Sequence, residues 1–228
     1  MIWFFGDSYS VPLTYPGIKE KCWNYESVWS ETLAEKLDMP RSYRAMYGVA
    51  NEWIFAQVME EVPSFESGDV VIIQTTSSSR RWFFKDRPDL GNFINTITNG
   101  LSKEEEKALE MYTSYLYHEE QNDMFYSAFL YSFAHMAYVY KKDNVKIVIL
   151  PGFHGCPGVL GDLTSSVCDK EFKDIGVRNN FYKKHKWDPR INHMSQENHY
   201  ILAEKLYNNI AKNEQLNLTN GFITNIYN

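Results

Sequence analysis

Cysteine is scarce and spaced for no framework. Cys22, Cys156 and Cys168 stand far apart with no C-x-x-C pair, which excludes a disulfide scaffold and a zinc knuckle and fits a reducing compartment. No run approaches the ~20 apolar residues of a membrane span. The start, Met1-Ile-Trp-Phe-Phe-Gly-Asp, lacks a basic stretch and has only a short apolar run, so no signal peptide is read there and the expected location is cytoplasmic. Neither Gly-x-x-x-x-Gly-Lys nor Gly-x-Gly-x-x-Gly occurs, so no phosphate or dinucleotide loop is expected. Positive charge is the minority: 23 Lys plus Arg against 29 Asp plus Glu give a formal charge of −6, which argues against a broad nucleic-acid surface. His154, Cys156, His185, His193 and His199 show no i, i+4 or C-x-x-C spacing, so no metal is expected.

What the chain has in excess is rings: 16 Tyr, 14 Phe and 6 Trp among 228 residues. Rings fill a core, and Tyr and Trp also line sugar and peptide grooves. Ile2 to Phe5, Val70 to Gln74 and Val145 to Leu150 read as buried strands, and Ser42 to Tyr47 as a further strand. Between them stand helical patterns. Asn24 is expected to cap a helix through Trp29, Leu33 and Leu37, and Asn51 to begin one through Ile54 and Val58. Ser102 and Glu105 form a capping box for a helix carrying Leu109, Tyr112 and Leu116. A helix near 123–140 places Phe125, Phe129, Phe133, Met136 and Tyr140 on one face, and Ser195 caps a last helix through Leu202, Leu206 and Ile210. Strand–helix alternation predicts one α/β domain over 1–228 with a parallel sheet covered on both faces, a helical insertion at about 102–141 and a polar tail at 213–228. The tail turns apolar from Phe222 to Tyr227, as an edge strand or a partner contact would.

Chemistry in such sheets collects beyond the carboxyl ends of the strands. After the first comes Gly6-Asp7-Ser8. A serine there presents its hydroxyl beside free backbone N–H groups, as a nucleophile requires, although Asp and Ser also cap helices. After the second comes Gly48 with Asn51, which can supply an N–H and an amide to an oxyanion, or serve as a turn and a helix cap. Ser79-Arg80-Arg81-Trp82 follows the third strand, either as a solvated rim or as a grip on a carboxylate, phosphate or sugar. Near the C-terminus, Asp188 and His193 precede the Ser195 cap on a loop that can lean over the sheet.

Taken together, Gly6-Asp7-Ser8, Gly48 with Asn51, and Asp188 to Ser195 resemble the blocks of the SGNH (GDSL-type) hydrolase family, in particular divergent members carried by bacteriophages. The resemblance implies a flavodoxin-like three-layer α/β/α sandwich with a mostly parallel sheet of four to five strands. It implies a serine esterase or deacetylase without a cofactor, acting on a small-molecule or glycan ester. Ser8 would be the nucleophile, His193 the base and Asp188 its orienting acid. Ser8, Gly48 and Asn51 would hold the oxyanion, with Asp7, Thr76, Ser77 and Arg81 towards the substrate.

Two departures from the family pattern stand out. Its Gly-x-Asn-Asp block is here Gln74-Thr75-Thr76-Ser77-Ser78, so one oxyanion donor is missing or replaced by Asn51, Thr76 or Ser77. The position three before His193 is Arg190 rather than an acid, so either Asp188 reaches the ring by another path or the site is a Ser–His dyad. These losses keep a second expectation open, a non-catalytic binding or virion-structural module.

Overall fold

The computed structural model describes residues 1–15, 25–83, 101–153, 156, 158–163 and 194–223. Four strands, β1 (Ile2–Gly6), β2 (Arg41–Ala45), β3 (Val70–Thr75) and β4 (Lys146–Pro151), form one sheet in the order β2-β1-β3-β4. Every pairing is parallel, with Phe4 opposite Tyr43 and Ile72, and Ile72 opposite Val148. The central strands explain the apolar runs. Side chains alternate across a strand, so Ile2, Phe4, Val70, Ile72, Val148 and Leu150 enter one core while Trp3, Phe5, Val71, Ile73, Ile147 and Ile149 enter the other. Edge strand β2 is mostly polar and only partly buried, and its Arg44 pairs with Glu61.

Helices cover both faces. On the first lie α1 (Trp29–Lys36) and α5 (Gln196–Lys212), which bury Trp29, Leu33, Leu202 and Leu206 against β1 and β3. On the second lie α2 (Asn51–Glu61) and α4 (Glu119–Tyr140), through Ile54, Val58 and Phe133. α3 (Lys103–Tyr115) precedes α4, and its capping box is formed as expected: Glu105 N donates to Ser102 Oγ and Ser102 N donates to Glu105 Oε2. The Ser195 cap is also formed, its Oγ accepting from Asn198 N.

Several expectations need correction. α1 starts at Trp29, beyond the helix start expected at Asn24, which itself lies outside the described residues. Residues 26 and 27 instead hydrogen-bond across the molecule: Glu26 N donates to Gln196 Oε1 and Gln196 Nε2 donates to Ser27 O. β2 ends at Ala45, two residues short of Tyr47. Phe125 is 38% exposed and Leu116 is 63% exposed, so neither belongs to the face assigned to it. α4 forms the crossover from β3 to β4 and packs on the sheet. In the tail, Leu216 and Leu218 are buried, Phe222 packs on the first core, and Asn198 holds the Ile223 N–H and C=O; 224–228 lie outside the described residues.

The carboxyl edge of the sheet is tight where β3 and β4 end. Gly152 N donates to Thr75 O, and a Cβ at Gly152 would stand 2.2 Å from that same oxygen. Gly152→Ala is therefore expected to push the strand ends apart and cost about 1–3 kcal/mol, as overpacking does. Urea denaturation checks it: the midpoint should fall with the m-value unchanged.

Candidate active site

The loop after β1 is built around a carboxylate. Asp7 is fully buried, and both its oxygens are engaged: Oδ1 accepts from Tyr9 N at 3.1 Å, and Oδ2 from Thr76 Oγ1 at 2.7 Å and Arg80 at 2.8 Å. Its N–H donates to Gln74 Oε1 at 3.0 Å, which also accepts from Ser10 Oγ at 3.2 Å. Ser10 N donates to Asp7 O, closing a turn. Ser8 sits in that turn, partly exposed, and among the described residues nothing hydrogen-bonds its hydroxyl. The Asp7 and Ser10 side chains of this turn are both bonded within the protein, whereas the Ser8 hydroxyl is not.

Arg80 is the residue that sequence reasoning missed. Placed at a solvated rim or on a substrate, it is instead 5% exposed. Its guanidinium pairs with Asp7, reaches the Val49 carbonyl at 3.4 Å and lies 5.4 Å from the Phe153 ring centre. The only local signal was an arginine soon after an apolar strand, with its acid 73 residues earlier. Arg81 behaves differently: it pairs with Glu52 at 2.7 Å, donates to Asn122 Oδ1 at 3.2 Å and lies 5.0 Å from the Phe125 ring centre. Burial pushes the Glu52 carboxyl above its ordinary range despite Arg81. A cavity of about 10 Å³, one water in size, lies between Asn51, Glu52, Arg80, Arg81, Asn122 and Tyr126.

Asn51, expected as an oxyanion donor, has other work. Its Nδ2 donates to Thr76 O at 3.0 Å and Ser77 O at 3.4 Å, and its Oδ1 accepts from Thr76 N at 2.9 Å. The amide thus clamps the start of α2 to the loop after β3. Asp7, Thr76 and Ser77, expected towards the substrate, are all buried, and the Ser77 hydroxyl shares a hydrogen bond with Ser79 at 2.7 Å. Gly48 stands at the turn after β2 with φ of 71°, a conformation that disfavours any side chain. The loops carrying Ser8 and Gly48 leave the sheet side by side, since Gly6 pairs with Ala45 and Met46 N donates to Gly6 O.

Asp188 and His193 lie outside the described residues. The flank of that segment is described. Met194 is buried in the same core as Tyr9, and its carbonyl accepts from Tyr25 OH at 2.8 Å. His199, the other C-terminal histidine, is buried in α5 and receives the Trp29 N–H on Nδ1 at 3.2 Å. It caps α1 from outside. Trp29 in turn donates its indole N–H to Tyr9 O at 2.6 Å. A groove of about 500 Å³ beside Tyr138, Lys141, Lys146 and Asn213 opens at the amino end of β4, the wrong edge of a parallel sheet for chemistry.

Comparison with family models, with curated proteins and with solved structures returns no match.

The buried pair generates a prediction. Removing one member of such a pair leaves a charge without compensation and costs about 3–5 kcal/mol. Arg80→Met and Asp7→Asn should each destabilise on that scale, while Arg80→Met with Asp7→Asn should cost clearly less than their sum. Chemical denaturation of the four proteins measures it, and additive losses would show that the two residues do not act as a pair.

Proposed function

We propose that this chain is a serine ester hydrolase of SGNH type, with the flavodoxin-like sandwich of that family. One observation carries the reading: Ser8 stands at the carboxyl end of a central parallel strand, in a turn whose other polar groups are bonded inward, with its own hydroxyl uncommitted. Nucleophiles need that separation between a fixed frame and a free reacting atom.

In the proposed reaction Ser8 Oγ attacks the ester carbonyl as His193 takes its proton. The tetrahedral oxyanion is held by the backbone N–H groups of Ser8 and Gly48. Collapse breaks the bond to the alcohol, which leaves with the proton from His193. Water, deprotonated by His193, then attacks the acyl-serine and frees Ser8. Asn51 enters as a brace, because its amide hydrogens are spent on Thr76 and Ser77. Two backbone donors without a side-chain donor suit a slow enzyme, since one lost donor costs about 10²–10³ in rate. The position of Met194 supports His193 as base: the next residue along the chain is fixed in the core that holds Tyr9, beside Ser8. Asp188 would orient the ring. An ester on a carbohydrate is the substrate class we favour, and the absence of an uncommitted side-chain donor among Asn51, Thr76 and Ser77 favours, as the second reading, a non-catalytic module.

A fluorophosphonate probe tests the proposal. The wild-type protein should label, Ser8→Ala and His193→Ala should not, and His199→Ala should still label while losing about 0.5–2 kcal/mol of stability with its helix cap. Asp188→Asn should slow ester turnover by up to ~10⁴ if it completes a triad. A rate within a few-fold of wild type makes the site a dyad, and no labelling of the wild-type protein sinks the enzyme reading.

A further inference from the structure

The one-water cavity between the start of α2, the loop after β3 and α4 is lined by groups whose bonding is incomplete. Asn122 is 4% exposed; its Oδ1 accepts from Arg81, while its buried Nδ2 has no acceptor among the described residues. A buried amide donor left so costs free energy until an acceptor reaches it. Arg81 spends Nε on Glu52 and Nη1 on Asn122. Burial is the larger influence on Glu52 and holds its carboxyl above the ordinary range against the Arg81 charge, so this carboxylate gains from a further hydrogen-bond donor. Beside them stands Phe125, 38% exposed, its ring centre 5.0 Å from the guanidinium. Charge decides what fits. An anion accepting from Asn122 would meet the Glu52 carboxylate, and a cation would meet Arg81. A neutral hydroxyl meets neither objection, because its oxygen accepts from Asn122 while its proton goes to Glu52. The Phe125 ring offers apolar surface to the C–H face of a molecule carrying that hydroxyl. A saccharide has both features.

We infer that Glu52, Arg81, Asn122 and Phe125 form a recognition subsite for a neutral saccharide, with one hydroxyl seated between Asn122 and Glu52 and the sugar ring laid on Phe125. The inference rests on the carbohydrate-ester reading for what the subsite serves, whereas the binding itself needs neither Ser8 nor His193. The subsite and the Ser8 turn share one edge of the sheet. Arg80, bonded to Asp7, is the residue before Arg81, and Asp7 is the residue before Ser8. The ion pair that fixes the nucleophile turn therefore also fixes the backbone from which Arg81 extends. Arg81 in turn holds Glu52 and Asn122 in place, so its own charge is balanced and its part is to position the two groups that meet the hydroxyl.

Titration of the full chain labelled with nitrogen-15 and carrying Ser8→Ala tests this, followed at the Arg81 Nε and Asn122 Nδ2 resonances. The probes are glucose, galactose, mannose and N-acetylglucosamine, each to about 100 mM, with acetate as the small anion. Ser8→Ala removes turnover, so failure of the hydrolase proposal leaves this measurement untouched. Saturable movement of both resonances is expected with at least one of the sugars, at a Kd of roughly 1–10 mM, and none with acetate. Phe125→Ala should weaken the sugar by about fivefold or more with circular dichroism unchanged, while Tyr131→Ala, at an exposed ring farther along α4, should not. Glu52→Gln, which keeps the shape and removes the charge, should admit acetate beside Arg81. The inference is overturned if no sugar moves both resonances, which would leave water as the occupant. It is equally overturned if acetate binds the Ser8→Ala protein as the sugar does, if Glu52→Gln still excludes acetate, or if Phe125→Ala leaves the sugar Kd within about twofold.

Discussion

A carboxylate without access to water must find its compensation nearby, and at Asp7 that requirement organises the carboxyl edge of the sheet. Its partners come from three places in the chain: Tyr9 in its own turn, and Thr76 and Arg80 after β3. Arg80 then reaches the Val49 carbonyl after β2 and the Phe153 ring after β4. One ion pair therefore connects the loops that follow all four strands. Because an unpaired buried charge costs several kcal/mol, none of these loops can drift without penalty. The Asn51 clamp adds a second tie between α2 and the β3 loop.

The consequence is a division of labour among residues that look alike in a sequence. Asp7, Asn51, Thr76 and Ser77 are all short polar side chains beyond strand ends, and each was a candidate for direct chemistry. Each is spent on internal hydrogen bonds. Ser8 stands among them and is not. A scaffold of satisfied polar groups around one uncommitted hydroxyl is how a rigid site is held to sub-ångström geometry, so the loss of substrate-facing side chains strengthens the framing of Ser8 even as it removes candidate oxyanion donors.

Strands buried on both faces were legible because runs such as Val70 to Ile73 are short, β-branched and preceded by a Gly-Asp turn. Caps were legible where both partners are local, as at Ser102 with Glu105 and at Ser195. The start of α1 was not, because the bonds that replace helical ones at Glu26 come from Gln196, 170 residues away. The Arg80 contact was hidden for the same reason. Phe125 and Leu116 show a different limit: helical periodicity finds an apolar stripe but does not say whether a sheet, solvent or another molecule lies against it. In the site, the positions of Ser8 and Gly48 followed from strand ends, whereas the inward turn of Asn51 depends on a three-dimensional neighbour, the Thr76 peptide.

Both ends of the chain hang on the amino terminus of α1. The Trp29 indole holds Tyr9 O, next to Ser8, and the Trp29 N–H is held by His199. Just before it, Tyr25 and residues 26–27 bind Met194 and Gln196. Neither set of contacts is local in sequence, yet together they tie the turn that carries Ser8 and the start of α5 to one short segment. If Ser8 is the nucleophile that we propose, the alignment of its turn depends on how well α1 is capped, which would give His199 a positioning role through that helix.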